Sequence, residues 1–314
     1  MIKIASEYLD KYANEHYQAV ENYFNNKNSG YSIETINKWI KNCFGKEYDF
    51  KKLILAKPNK LEELSKIYKF NCCNDFGSFH GYYNYLNQYT KVTYFNMIDD
   101  EKRAYNAYQL IENLNISICP YCNRNTIYNI KNSKKRTSEL DHFYPQSKYP
   151  FFALSFYNLV PSCKVCNKIK LDKDDEEYIN PYDDRFNMNK NMKFSLELID
   201  STFYHSEKGF NIDYEYNKKI SDDEKNRIEN NLDDFELKDL YQNHKDIILE
   251  LIQKQAIYND SYLYELLSQY EGTLFKNRED LQRLITCGYI SDDEINKRPL
   301  SKLIKDISKE LELI

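Results

Sequence analysis

No stretch of this sequence is apolar for long enough to cross a bilayer, and Met1 to Lys11 hold neither the apolar core nor the cleavage site of a secretory leader. The first 115 residues also lack a glycine-rich phosphate loop and any internal repeat. These absences argue against a membrane span, a P-loop nucleotide site and a solenoid. The expectation is a cytosolic protein with no membrane association. Positive charge is also short: 44 Lys and Arg face 49 Asp and Glu, for a net charge of −5, which by itself does not favour a phosphate-bearing partner.

The distribution of that charge says something different. Between Cys119 and Lys170 there are nine basic residues (Arg124, Lys131, Lys134, Lys135, Arg136, Lys148, Lys164, Lys168 and Lys170) against only Glu139 and Asp141. That segment carries +7, leaving −12 for the rest of the chain. With 314 residues and 41% hydrophobic content, the chain can bury a sizeable core as one large domain or two to three smaller ones.

Periodicity divides the chain into three parts. Residues 1–115 read as helical, with Tyr8, Tyr12, Ala19 and Tyr23 on one stripe and Ile33, Ile36, Trp39 and Cys43 on another that stops at Gly45. Leu61, Leu64 and Tyr68 continue the pattern after Pro58. Residues 116–185 hold the basic segment, the acidic run Asp172 to Glu177, and Asn180-Pro181-Tyr182-Asp183, a turn and natural boundary. Residues 186–314 open on a predicted β-hairpin. Met192, Phe194, Leu196 and Leu198 alternate with polar residues, and Phe210, Ile212, Tyr214 and Tyr216 repeat the alternation beyond Gly209. Ser221 with Glu224, and Ser291 with Glu294, have capping-box spacing and predict helix starts, the first leading to the stripe Leu237, Leu240, Tyr241, Ile248 and Leu251.

Of the eight cysteines, four form two C-x-x-C pairs, Cys119-Pro120-Tyr121-Cys122 and Cys163-Lys164-Val165-Cys166. Four soft thiolates suit a closed tetrahedral zinc site, which would be structural because it leaves no open position for chemistry. Forty residues separate the pairs, so the metal would close a large loop. Cys43, Cys72, Cys73 and Cys287 have no such spacing and read as buried or idle thiols. His16, His80, His205 and His244 read as packed or surface histidines rather than ligands.

Inside the loop lies Glu139-Leu140-Asp141-His142, and beyond the second pair lies Asn167-Lys168-Ile169-Lys170. A carboxylate beside an imidazole suits metal-assisted phosphodiester hydrolysis: one binds a hard divalent ion, the other takes a proton from water. Neighbours on a strand point to opposite faces, so the two would need a bend near Pro145 to share one site.

The string Leu140-Asp141-His142-Phe143-Tyr144-Pro145, then Tyr157-Asn158-Leu159, then Cys163-x-x-Cys166-Asn167-x-x-Lys170, resembles the zinc-containing HNH endonucleases. Ser147 to Pro150 and Ala153 to Cys163 are similar to the HNH components of bacterial anti-phage systems such as Septu and some retrons. The match covers about a sixth to a fifth of the chain and leaves residues 1–115 without a counterpart. The resemblance implies a ββα unit with His142 as general base, Asp141 and Asn167 as ligands of a magnesium or manganese ion, and Asn158 holding the loop through backbone hydrogen bonds. It also implies Lys170 as a phosphate contact. Lys134, Lys135 and Arg136 either solvate a hairpin tip or touch a DNA backbone.

The fold expected is therefore α+β, mainly α, with a central zinc-stabilised ββα-metal unit, helical flanks and a β-hairpin after it. The function expected is metal-dependent cleavage of nucleic acid, DNA favoured, in anti-phage defence. A protein partner such as an ATPase is expected on the acidic flanks. The alternative is a zinc-stabilised nucleic-acid-binding or partner-regulated module that does not cut on its own.

Overall fold

The structure is a computed structural model that describes residues 2–26, 32–71, 97–98, 104–173 and 177–314. Cys72, Cys73, His80 and part of the acidic run lie outside the described residues. The fold is α+β and mainly helical, with small antiparallel hairpins. Among the described residues no helix is long and apolar enough to cross a membrane.

The N-terminal part is built of amphipathic helices, Leu9–Asn26, Ile33–Phe44, Phe50–Ile54 and Pro58–Asn71. Ser32 caps the second by accepting the Thr35 amide, and Gly45 ends it at a φ of 115° that only glycine adopts without strain. In the first helix the buried face is Ala13, His16, Tyr17, Ala19, Val20 and Phe24, so of the expected stripe Ala19 is buried but its three tyrosines are not. Tyr8 precedes the helix and is half exposed, and Tyr12 and Tyr23 only flank the core. A tyrosine ring serves equally well at the edge of a core, so its spacing alone misplaces the face.

These helices pack onto the loop that follows the Asp-His strand. Phe151 lies among Trp39, Phe44 and Tyr68, with ring centroids 5.6, 5.3 and 4.7 Å away. His16 is fully buried, its Nε2 2.8 Å from the Leu154 carbonyl, and Ser155 Oγ donates to the Leu53 carbonyl at 2.8 Å. The first part of the chain is thus a buttress for residues 150–158.

Beyond the boundary turn, strands Met192–Leu198 and Phe210–Tyr216 form the expected hairpin, with Met192 opposite Tyr216 and Leu198 opposite Phe210. Met192, Phe194, Phe210 and Ile212 are buried, whereas Leu198 at the far end is exposed. Gly209 is required by close approach, since a Cβ there would sit 2.4 Å from the Phe203 amide nitrogen. Ser221 caps helix Asp222–Asp234 as its spacing predicts. The long apolar stripe is split at Asn243 and His244 into helices Leu237–Gln242 and Lys245–Ile257. Ser291 opens only a turn, with the Glu294 amide on its carbonyl at 3.1 Å. Pro299 disfavours helix at Arg298, so too few residues remain for a helix to grow, and the next one is Ser301–Glu310. That last helix is buried nearly end to end, and one hydrophobic cluster runs from Ile4 to Leu313 through all three parts of the chain.

Candidate active site

The first cysteine pair sits at the tip of a tight loop. Ile127 N donates to Ser117 O and Cys119 N to Asn125 O, at 2.8 and 2.9 Å, and Asn123 takes a left-handed φ of 49° that turns the chain back. The second pair opens helix Lys164–Lys170, with Cys163 as its N-cap and Cys166 in the first turn. The four sulfurs are buried and lie within 4.8 Å of one another, with Cys122 and Cys163 at 4.0 Å. A tetrahedral zinc with S bonds of about 2.3 Å spaces its sulfurs by about 3.8 Å, so the four fit a structural metal such as zinc.

Backbone and side-chain donors point at the sulfurs. Arg124 N lies 3.4 Å from Cys122 Sγ, and Asn125 Nδ2 3.2 Å from Cys163 Sγ, contacts that stabilise thiolate charge. Hydrogen bonds from Cys119 and its neighbours push the Cys163 and Cys122 thiols down. Burial pushes Cys119 up, and hydrogen bonds within the cluster, those with Cys119 first, push Cys166 up. Among the described residues this is the only cluster of three or more His, Cys, Asp or Glu placed to hold a metal.

Between the pairs, strand Glu139–His142 runs antiparallel to Leu159–Ser162, with Asp141 opposite Val160 and His142 opposite Leu159. The second strand leads directly into helix Lys164–Lys170, which packs on the first strand. Asp141, His142 and Asn167 all line one open cleft of about 430 Å³, together with Pro145 and Ser147. The strand ends at His142, which lets neighbouring side chains reach the same cleft.

His142 Nε2 lies 3.1 Å from the Ala153 carbonyl. A carbonyl only accepts, so this nitrogen carries the proton in the neutral ring, and Nδ1 keeps its lone pair. Burial lowers the imidazole's pKa below its usual value of 6.5, with a smaller push from the Lys170 ammonium, while Asp141 and the Ala153 bond oppose it. Burial thus favours the neutral ring.

Asn158 is fully buried inside the loop. Its Oδ1 accepts the Tyr144 amide at 2.7 Å, and its Nδ2 donates to the Tyr144 and Phe152 carbonyls at 3.2 and 3.0 Å. The two ends of the 143–158 loop are thereby tied together.

Lys170 is not at the cleft surface. It is buried, with Nζ donating to the His142 carbonyl at 2.8 Å and to Asp141 Oδ1 at 3.2 Å, so its charge is engaged within the protein rather than offered to a phosphate. Lys134, Lys135 and Arg136 belong to the hairpin Asn129–Ile130 and Lys135–Arg136 and do not line the cleft. Lys134 and Lys135 are exposed there, while Arg136 reaches the Ser138 carbonyl at 3.3 Å.

Two residues at the site escape a reading by motif. Tyr121, between the first two cysteines, is buried and donates to Asp141 Oδ2 at 2.6 Å. Ala153 fixes the His142 ring through its carbonyl. The place of Tyr121 inside a C-x-x-C pair was the available signal, since such a residue is held by the metal loop. Of the remaining histidines, His244 accepts from Arg124 Nε at 2.9 Å and His205 is exposed. Compared with known proteins, the chain matches no family model, no curated protein and no solved structure.

Proposed function

We propose that this chain is a metal-dependent phosphodiester hydrolase of the HNH type, acting on nucleic acid with DNA favoured. The observation that carries the reading is the His142 ring: Nε2 is tied to the Ala153 carbonyl, and the imidazole lines a cleft shared with Asp141 and Asn167. The ββα order of strand Glu139–His142, strand Leu159–Ser162 and helix Lys164–Lys170, which starts at the second cysteine pair, and the sequence resemblance support the same reading.

His142 Nδ1 takes the proton from a water aligned with the scissile phosphate. Asp141 and Asn167 offer a carboxylate and a carboxamide oxygen, hard donors that fit magnesium or manganese. When bound, that ion polarises the phosphate and stabilises the leaving oxygen. Asn158 keeps the loop closed so that His142 holds its aim. Exposed Lys134 and Lys135, with Arg136 beside them on the hairpin, and exposed Lys164 and Lys168 would supply positive charge for the DNA backbone, a role that buried Lys170 does not share. Four unpaired thiols held as metal ligands suit a reducing compartment, so the cytosol is the location that belongs to this reading. Its place in anti-phage defence, with a partner such as an ATPase on the acidic flanks, belongs to the same proposal.

One observation favours a second reading, a zinc-built binding or partner-regulated module. Both oxygens of Asp141 are already engaged, one by Tyr121 and one by the Lys170 ammonium, which occupies charge space that a divalent ion needs. Conversion of supercoiled plasmid to nicked and linear forms, with magnesium or manganese, separates the two. Cutting by wild type that vanishes in His142→Ala, with one zinc per chain in both, is the expected result. Plasmid retained but uncut by both proteins favours the binding module.

A further inference from the structure

We infer that Tyr121 is a positioning residue that aims the Asp141 carboxylate, tying the ion ligand of the cleft to the four-cysteine site. The inference rests on the reading of Asp141 as a ligand for a divalent ion. Tyr121 is fully buried, and its hydroxyl donates to Asp141 Oδ2 at 2.6 Å across twenty residues of sequence. Its ring stacks on Phe235 at 4.7 Å with an interplanar angle of 24°, so the direction of the hydroxyl is set by packing. A donor locked in this way dictates the plane of its acceptor.

The other carboxylate oxygen is held from the opposite side by Lys170 Nζ at 3.2 Å. Both anchors belong to the cysteine pairs. Tyr121 stands between Cys119 and Cys122, and Lys170 is the last residue of the helix that Cys163 caps and that carries Cys166. A metal gripping the four thiolates would join these two segments and thereby fix the carboxylate of Asp141, a residue that lines the cleft. Rotation of the carboxylate by tens of degrees would move its free lone pairs away from Asn167, the second oxygen donor lining that space.

Tyr121→Phe tests this, because it keeps the ring on Phe235 and removes only the hydroxyl. The full-length protein, zinc-loaded, is titrated with Mn²⁺ and followed by electron paramagnetic resonance. Wild type is expected to bind one Mn²⁺, and Asp141→Asn to lose it. Tyr121→Phe should keep one zinc per chain but bind Mn²⁺ about tenfold more weakly, with an altered spectrum for the bound ion. Wild type without Mn²⁺ binding, or Asp141→Asn binding as well as wild type, overturns the reading of the cleft itself. Equal Mn²⁺ affinity and identical spectra for wild type and Tyr121→Phe, with zinc intact, overturn the positioning role alone. Loss of zinc in Tyr121→Phe overturns it too, since the hydroxyl would then serve the thiol site.

Discussion

Asn123 Oδ1 accepts the backbone amide of Lys302 at 3.0 Å, across 179 positions of sequence. Asn123 follows directly on the first cysteine pair, and its other groups do related work. Its carbonyl accepts the Leu300 amide at 2.6 Å, and its Nδ2 donates to the Ile295 carbonyl at 3.0 Å. Helix Ser301–Glu310 has Leu300 at its N-cap, which offers no side-chain acceptor, so Asn123 caps this helix from elsewhere in the chain. The same cysteine loop receives the Ile2 amide on Pro120 O at 2.8 Å and the Tyr241 hydroxyl on Cys122 O. The five residues from Cys119 to Asn123 thus join the first and last parts of the described chain.

Asn123→Ala removes the cap, leaves the Ile295 carbonyl without its donor, and puts alanine at a left-handed φ. Together these cost about 3–4 kcal/mol, from roughly 1 kcal/mol for a cap, 1–2 for the buried polar group and about 1 for the backbone. Urea unfolding reads the loss, and amide exchange should show it concentrated at 300–310. A change under about 1 kcal/mol, with exchange there unaltered, would rule out the capping role.

Local patterns made part of this legible. The two C-x-x-C pairs, the hairpin from Met192 to Tyr216 and the Ser221 cap depend on spacings of two to four residues, which sequence displays directly. Ser291 has the same spacing but lacks a run of residues able to extend a helix before Pro299. Pairings such as Tyr121 with Asp141 and Asn123 with Lys302 depend on how distant segments meet, and no periodicity encodes them. The last helix hides its nature for a related reason. Its sequence, Ser301-Lys302-Leu303-Ile304-Lys305-Asp306-Ile307-Ser308, reads as one with a wet face, yet all eight residues are buried. Lys302 is accommodated because its ammonium meets Asp306 Oδ2 at 2.8 Å and the Met192 carbonyl at 2.9 Å.

His16 makes stability depend on acid. Burial lowers its pKa from 6.5 to about 4, against the opposing bond to the Leu154 carbonyl. Above pH 6.5 the ring is neutral in both folded and unfolded chains, and no penalty applies. As pH falls from 6.5 to about 4, the unfolded chain takes up a proton that the folded one refuses, so stability is lost through that window and levels off below it. A shift of this size corresponds to about 3 kcal/mol. Urea midpoints for wild type and His16→Gln at pH 7 and pH 4.5 check it. Equal acid losses in the two proteins would assign the effect to other groups.

Lys170→Met addresses the charge beside the cleft. The methionine fills the space of the lysine stem but leaves Asp141, nearly free of solvent, with only the Tyr121 hydroxyl. Breaking a buried pair from one side costs about 3–5 kcal/mol. If Asp141 binds a divalent ion, Mn²⁺ restores part of this loss by supplying the missing positive charge. Melting temperatures in chelator and in Mn²⁺ should therefore differ more for Lys170→Met than for wild type. An equal difference in both proteins would mean that the ion does not reach Asp141.

Cys163→Ser distinguishes a metal ligand from a helix cap, because Cys163 has the geometry of both. Its sulfur accepts the Cys166 amide at 3.4 Å as the N-cap of helix Lys164–Lys170, and it lies 4.0 Å from Cys122 Sγ. Serine is a good N-cap but a poor zinc ligand, so the substitution keeps the first role and removes the second. Zinc is expected to fall well below one per chain, and melting to begin with the segments that the metal loop holds: the Asp141 strand through Tyr121, and the last helix through Asn123. Amide exchange should therefore rise together at 119–127, 139–142 and 300–310. Cys287→Ser, at an exposed thiol outside the cluster, serves as the control and should change neither metal content nor exchange. One zinc per chain and wild-type melting in Cys163→Ser would remove Cys163 from the ligands and the four-cysteine site from this fold, and with it the reason these three segments are expected to unfold as one.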